Sequence, residues 1–193
     1  MKFLRYFLVI TLLAPLLLIN TAEGYFSDLE GASYTENILS LSDQGVLGGY
    51  DDGTFRPTGE INRAEMMKMV MAARFDDPED YAGGCFDDVI DDWYAPYVCR
   101  GADLGVVKGY EDGLFRPENP ANMVEAMKII LEAFEMDLEP LESGDEWFWP
   151  YRDFIHNNGV LSKFGYAPDR AITRAEVALI VDNVLQIQSG ERE

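Results

Sequence analysis

The chain of 193 residues is poor in positive charge, in histidine and in cysteine. Fifteen Lys and Arg stand against 35 Asp and Glu, a formal net charge of −20. Phosphate backbones are held by clustered cations, so this balance argues against a nucleic-acid binder and against electrostatic adhesion to anionic lipid. One His and two Cys leave no material for a His-rich or Cys-rich zinc site. Beyond the first twenty residues no run is long and apolar enough to span a membrane. The chain is nevertheless 48% hydrophobic and 12% aromatic, which predicts a packed core and not disorder. Its length suits one compact domain, or a few small repeated units sharing a core.

The one long apolar run comes first. Lys2 and Arg5 precede Tyr6 to Ile19, and Ala22-Glu23-Gly24 puts small residues at the −3 and −1 positions of a cleavage site. Residues 1–24 therefore read as a secretory signal peptide. The competing reading is a retained anchor, but the run is interrupted by Pro15 and falls short of the ~20 residues that span comfortably. No Cys lies near the cleavage site, which argues against a lipoprotein. The expected product is exported, with no membrane association of its own after cleavage.

The remainder repeats itself. An offset of 60 brings Gly49-Tyr50-Asp51-Asp52-Gly53-Thr54-Phe55-Arg56-Pro57 onto Gly109-Tyr110-Glu111-Asp112-Gly113-Leu114-Phe115-Arg116-Pro117, with 18 identities over residues 26–73 and no gap. A shorter, more worn copy follows: Trp147-Phe148-Trp149-Pro150-Tyr151 matches Trp93-Tyr94-Ala95-Pro96-Tyr97, and Ile172-Thr173-Arg174-Ala175-Glu176 matches Ile61-Asn62-Arg63-Ala64-Glu65. The units span 25–75, 85–136 and 142–187, with an acidic linker between the first two and a disordered tail expected over 188–193.

Each unit predicts a helix, a turn-rich loop and a second helix. The first helix runs from Tyr34, Tyr94 or Phe148 to Gly45, Gly105 or Gly159, glycines suited to a left-handed C-terminal position. The second begins at a capping box: Asn62 with Glu65, Asn122 with Glu125, Thr173 with Glu176. Its apolar residues (Ala64, Met67 and Val70; Ala126, Ile129 and Ile130; Ala175, Ala178 and Leu179) predict burial of the three second helices against one another. The fold class is mainly α, built from three tandem helix-loop-helix repeats.

The succession Phe86-Asp87-Asp88-Val89, Trp93-Tyr94-Ala95-Pro96-Tyr97, Leu104 to Gly113 and Phe115-Arg116-Pro117 resembles the S-layer homology (SLH) motif. The Ile-Asn/Thr-Arg-Ala-Glu sequences at 61–65 and 172–176 resemble the same family. The resemblance implies a pseudo-threefold, three-pronged spindle with a central three-helix bundle and ligand grooves between prongs. It also implies non-covalent attachment to cell-wall polysaccharide, an acidic secondary polymer carrying ketal-pyruvate groups. Arg63 and Arg174 match the family's principal ligand contact, with support implied from the Tyr50–Asp52 and Tyr110–Asp112 loops and from groove aromatics. An Arg in the first turn also sets a forked donor beside free helix amides, and both favour a carboxylate. Repeat two departs from the pattern with Met123-Val124, and repeat three has lost its Asp-Gly loop. The expectation is one groove around Arg63, a second around Arg174 and a degenerate one at Met123.

Each candidate has a plainer alternative. Arg63 and Arg174 also suit structural ion pairs. Asp52 and Asp112 are turn-formers first. Trp93 and Trp147, like Tyr50 and Tyr110, suit either stacking on sugar rings or core packing. Cys85 and Cys99, where repeat one has Tyr25 and Leu39, are either a disulfide formed after export or two thiols with Cys99 replacing a core Leu. The loops lack the ligand spacing of an EF-hand, leaving only surface carboxylates such as Asp87, Asp88, Asp91 and Asp92 for weak calcium binding. The sole His156 falls where repeat two has Ala102, so no catalytic triad is arguable; neither an enzyme nor a cofactor is expected. The competing class is an envelope interaction protein that keeps the fold, holds other envelope proteins and binds no polymer. The loop-to-helix stretches 50–63, 110–123 and 163–174 carry nearly balanced charge, so the excess acid lies elsewhere.

Overall fold

The computed structural model describes residues 26–75, 83–161 and 167–192. The expected signal peptide and most of the acidic linker lie outside these residues. Among them are six α-helices and no β-strand: α1 (Thr35–Asp43), α2 (Arg63–Phe75), α3 (Ala95–Asp103), α4 (Met123–Ala133), α5 (Trp149–Asn157) and α6 (Arg174–Ser189).

The short helices α1, α3 and α5 stop where the glycines were expected to stop them. Gly45, Gly105 and Gly159 have φ of 73°, 75° and 62°. In each case the amide of the following Val donates back to the helix, from Val46, Val106 and Val160 to the carbonyls of Leu41, Gly101 and Ile155. A left-handed residue at this position is what lets the chain reverse and satisfy that carbonyl. Pro96 and Pro150 sit in the first turns of α3 and α5, where a missing N–H costs nothing.

The long helices start at their caps. Asn62 accepts from the Glu65 amide at 2.8 Å while Glu65 accepts from the Asn62 amide at 3.3 Å, and Thr173 and Glu176 form the same reciprocal pair. At Asn122 the first bond forms, at 2.9 Å, but the Glu125 carboxylate turns towards Arg63 at 3.5 Å. That box is therefore half made. The long helices α2, α4 and α6 contact one another pairwise. All nine apolar residues expected to be buried on them are buried.

Three hydrogen bonds close a ring where these helices begin. Ala121 donates to Ile61 at 3.0 Å, Ile172 to Ala121 at 3.0 Å and Ile61 to Ile172 at 3.1 Å. The amides two and three residues on run round the repeats in the opposite sense. Arg63 and Ala64 donate to Asn119 and Pro117, Met123 and Val124 to Arg170 and Pro168, and Arg174 and Ala175 to Gly59 and Pro57. Helix N-termini leave amides without intrahelical partners, and here each set is satisfied by the loop of another repeat.

The pairing of short on long helices runs across repeats and not within them. The contacts are α3 on α2, α5 on α4, and α1 on α6. A helix-loop-helix unit of this chain thus does not close on itself; each short helix packs on the long helix of the repeat before it, and α1 closes on the last. Asp182, buried in α6, accepts from Asn37 at 2.8 Å and Ser40 at 2.7 Å of α1. Over the stretch expected as a tail, α6 continues through Ser189, Gln188 donates to Phe134 O at 2.6 Å, and Arg192 donates to Gly159 O at 2.9 Å.

Candidate ligand grooves between the repeats

The loops preceding α2 and α4 are each held by an aspartate. Asp28 accepts from the amides of Phe55 and Arg56 at 2.8 and 2.7 Å, and Asp88 from those of Phe115 and Arg116 at the same distances. These bonds hold Arg56 and Arg116 in the left-handed region, at φ 60° and 58°, where a side chain is disfavoured. At Gly49 a Cβ would come within 2.6 Å of the Phe26 ring and of Thr54 O, so only glycine lets the loop approach that closely. The loops are thereby fixed against the helices that follow them.

Two depressions result, and their linings correspond except at Tyr50, whose counterpart Tyr110 is not part of the second. The first, of about 210 Å³, is lined by Val46, Leu47, Gly48 and Tyr50 of the repeat-one loop, by Glu65 and Lys68 of α2, by Trp93 and by Arg174. The second, of about 280 Å³, is lined by Val106, Val107 and Lys108, by Glu125 and Lys128 of α4, by Trp147 and by Arg63. Each groove takes its loop and long helix from one repeat, its Trp from the next and its Arg from the one before in cyclic order. No single repeat contains a groove.

The two arginines are buried, at 6% and 7% exposure. Arg174 Nε donates to Phe55 O at 2.9 Å and Nη2 to Gly48 O at 3.3 Å; its guanidinium lies over Tyr50 and Phe55, with Glu65 at 3.7 Å. Arg63 Nε donates to Phe115 O at 2.9 Å, over Phe115 and Tyr110, with Glu125 at 3.5 Å. The free amides expected beside them are not free: the first-turn amides are taken by loop carbonyls and the caps. The anion-favouring helix end argued from sequence is therefore closed, and each groove meets an arginine side chain without free helix amides beside it.

Trp93 and Trp147, at 50% and 47% exposure, are the open walls. Lys68 Nζ sits 5.6 Å from the centre of the Trp93 ring and 5.9 Å from that of Tyr97. Tyr50 lines the first groove and donates to Glu65 at 2.8 Å; burial, then that bond, raises its phenol above the ordinary value. Tyr110 lies under Arg63 and Arg116. Asp52 and Asp112 line neither groove. They close their own turns, with Asp52 accepting from Thr54 and Arg56 and Asp112 from Leu114 and Arg116. Lys68 and Lys128 are the groove residues that the sequence argument passed over, although both belong to the identities at offset 60.

The third junction lacks all three groups. Where the grooves have Trp, Lys and Arg, the corresponding residues are Ser33, Leu179 and Met123. Leu179 and Met123 are buried, and Lys163 of the repeat-three loop lies outside the described residues. Cys85 and Cys99 are joined in a disulfide that ties the segment before Trp93 to α3. Among the described residues no group of three or more His, Cys, Asp or Glu is placed to hold a metal, and both carboxylate oxygens of Asp88 are taken by the loop.

Residues 25–67 and 86–122 match the model of the S-layer homology domain. These two segments are S-layer homology domains. The chain is 28% identical over 148 residues to cell surface glycoprotein 1 of Acetivibrio thermocellus, covering 67% of this chain and 6% of that protein. It is 26% identical to the middle cell wall protein of Brevibacillus brevis, over 94% of this chain and 18% of that one. The cellulosome-anchoring protein of Acetivibrio thermocellus is 28% identical over 66% of this chain and 31% of its own length. The chain spans under a third of each of these relatives. The first matched S-layer homology segment ends within α2 and the second just before α4, so Lys68 and Lys128 fall outside both.

Proposed function

We propose that this is an exported cell-envelope protein that attaches non-covalently to an acidic, pyruvylated cell-wall polysaccharide through the two grooves. Its place is the cell surface. The observation that carries the reading is the one-to-one correspondence of the grooves, each with an exposed Trp, a Lys, a Glu and a buried Arg drawn from three repeats. A flat indole suits the apolar face of a sugar ring, a lysine ammonium suits a ketal carboxylate, and a glutamate accepts from sugar hydroxyls. The closed ring of hydrogen bonds and the pairwise contacts of α2, α4 and α6 support the three-pronged spindle that the family resemblance implies, with α5 and α6 as its third S-layer homology repeat. The role is adhesive, with no chemistry assigned to the grooves.

The third junction favours a second role beside the first. Lacking the Trp, Lys and Arg of the other two at the corresponding positions, it suits the alternative of packing against another envelope protein. Co-sedimentation of the mature protein with purified sacculi, before and after chemical removal of the secondary polymer, tests the main reading. Binding is expected to intact sacculi and to be lost from stripped ones. Equal binding to both contradicts the polymer assignment.

A further inference from the structure

The two grooves differ at one position in a way that sets their charge. Where the first has Gly48, the second has Lys108. The first groove therefore sets Lys68 and Arg174 against Glu65, and the second sets Lys108, Lys128 and Arg63 against Glu125. Among the described residues, Glu132 offsets Lys128 in part, and Glu132 and Glu135 line the adjoining depression, but no carboxylate is paired with Lys108. Glu125 faces Arg63, and Glu132 accepts from the Tyr151 hydroxyl at 2.6 Å and lies 3.8 Å from Lys128. Glu135 lies 3.8 Å from Arg74. Among the described residues no carboxylate lies within 4.0 Å of the Lys108 ammonium.

Lys108 also stands where the second groove meets an adjoining depression of about 470 Å³, with which it shares Val106, Lys108 and Lys128. A ligand whose first negative charge sits between Lys128 and Trp147 thus finds a second cation along the direction in which the groove continues. The first groove offers no second lysine there.

We propose that Lys108 makes the second groove selective for a glycan carrying two adjacent negative charges, while the first groove takes a glycan carrying one. The inference rests on the grooves being the glycan sites. It makes the two sites non-equivalent, so that a polymer with unevenly spaced charge binds the chain in one direction.

The exchange is testable in both senses, because Gly48 has no positive φ and a Cβ there meets nothing within 4 Å. The probes are a methyl hexoside carrying one ketal-pyruvate group, and the disaccharide that adds a neighbouring uronate. Calorimetric titration of the whole mature chain with Trp93→Ala isolates the second groove, and Trp147→Ala isolates the first. In the Trp93→Ala background the dianion is expected to bind about fivefold more tightly than the monoanion, the scale of one added ion contact in water. Lys108→Gly removes that preference, and Lys108→Ala does so without an added glycine. In the Trp147→Ala background no preference is expected until Gly48→Lys creates one. A preference that does not follow the lysine overturns the inference while leaving glycan binding intact. Failure of either probe to bind the unmodified chain overturns the glycan reading, and the inference with it.

Discussion

Arg63 and Arg174 each serve two ends. Their Nε protons satisfy buried carbonyls of another repeat, Phe115 and Phe55, while the same side chains line the grooves. Removing Arg174 leaves the Phe55 and Gly48 carbonyls without their donor and takes the cation from beside Glu65, so Arg174→Ala is expected to lower stability by about 3 kcal/mol in urea denaturation. Arg174→Met is expected to cost less, because Met123 already fills the corresponding slot and is buried. It is also the better variant for asking what the charge contributes to binding. Asp52 illustrates the opposite case, a surface residue whose pairing is local. The Thr54 hydroxyl first, then Arg56, lowers its carboxyl to about 2. A depressed carboxylate supports its turn above its ordinary pKa and loses that support as pH falls through the folded value. Carbon NMR is expected to show Asp52 titrating near pH 2, and Thr54→Val to move the midpoint up; an unmoved midpoint contradicts the hydroxyl as the main cause. Asp112, opposite Leu114, owes its lowering to Arg116 first.

At the scale of elements, α1 is the test of how the fold closes. It packs on α6, and the buried Asp182 takes hydrogen bonds from Asn37, Ser40 and, within α6, Gln186. Asp182→Ala is expected to cost about 3 kcal/mol by stranding those donors, and to raise amide exchange in α1 before the other helices. Exchange rising evenly contradicts α6 as the anchor of α1. The helices themselves were legible in the sequence: the glycines and caps marked their ends, and the repeat offset located each copy. Their partners were not. An offset shows which residues are equivalent and says nothing of which are neighbours, so the packing of α3 on α2 and of α1 on α6 lay beyond it. The same limit hid the grooves. Trp93, Tyr50 and Arg174 were each legible as candidates, but only the cyclic order brings them together. Lys68 and Lys128 were lost against helices otherwise read for their apolar face, although a lysine repeated at one position of a buried helix is itself a signal.

For the whole molecule, the excess of acid and the positive grooves are compatible because screening at physiological salt limits surface repulsion to about 8 Å. Local cations then decide the contact. On the proposed reading two grooves on one closed scaffold would also give avidity: a polymer bound in one groove would meet the second at high effective concentration, a gain of roughly 10²-fold or more over a single site. The account stands or falls on those two grooves acting together. The direct measurement is quantitative co-sedimentation with intact sacculi for Trp93→Ala, Trp147→Ala and the double variant, each checked for its helical circular dichroism. Each single change is predicted to weaken binding at least tenfold and the double change to abolish it. A folded double variant that still sediments with sacculi as the unmodified chain does contradicts the account.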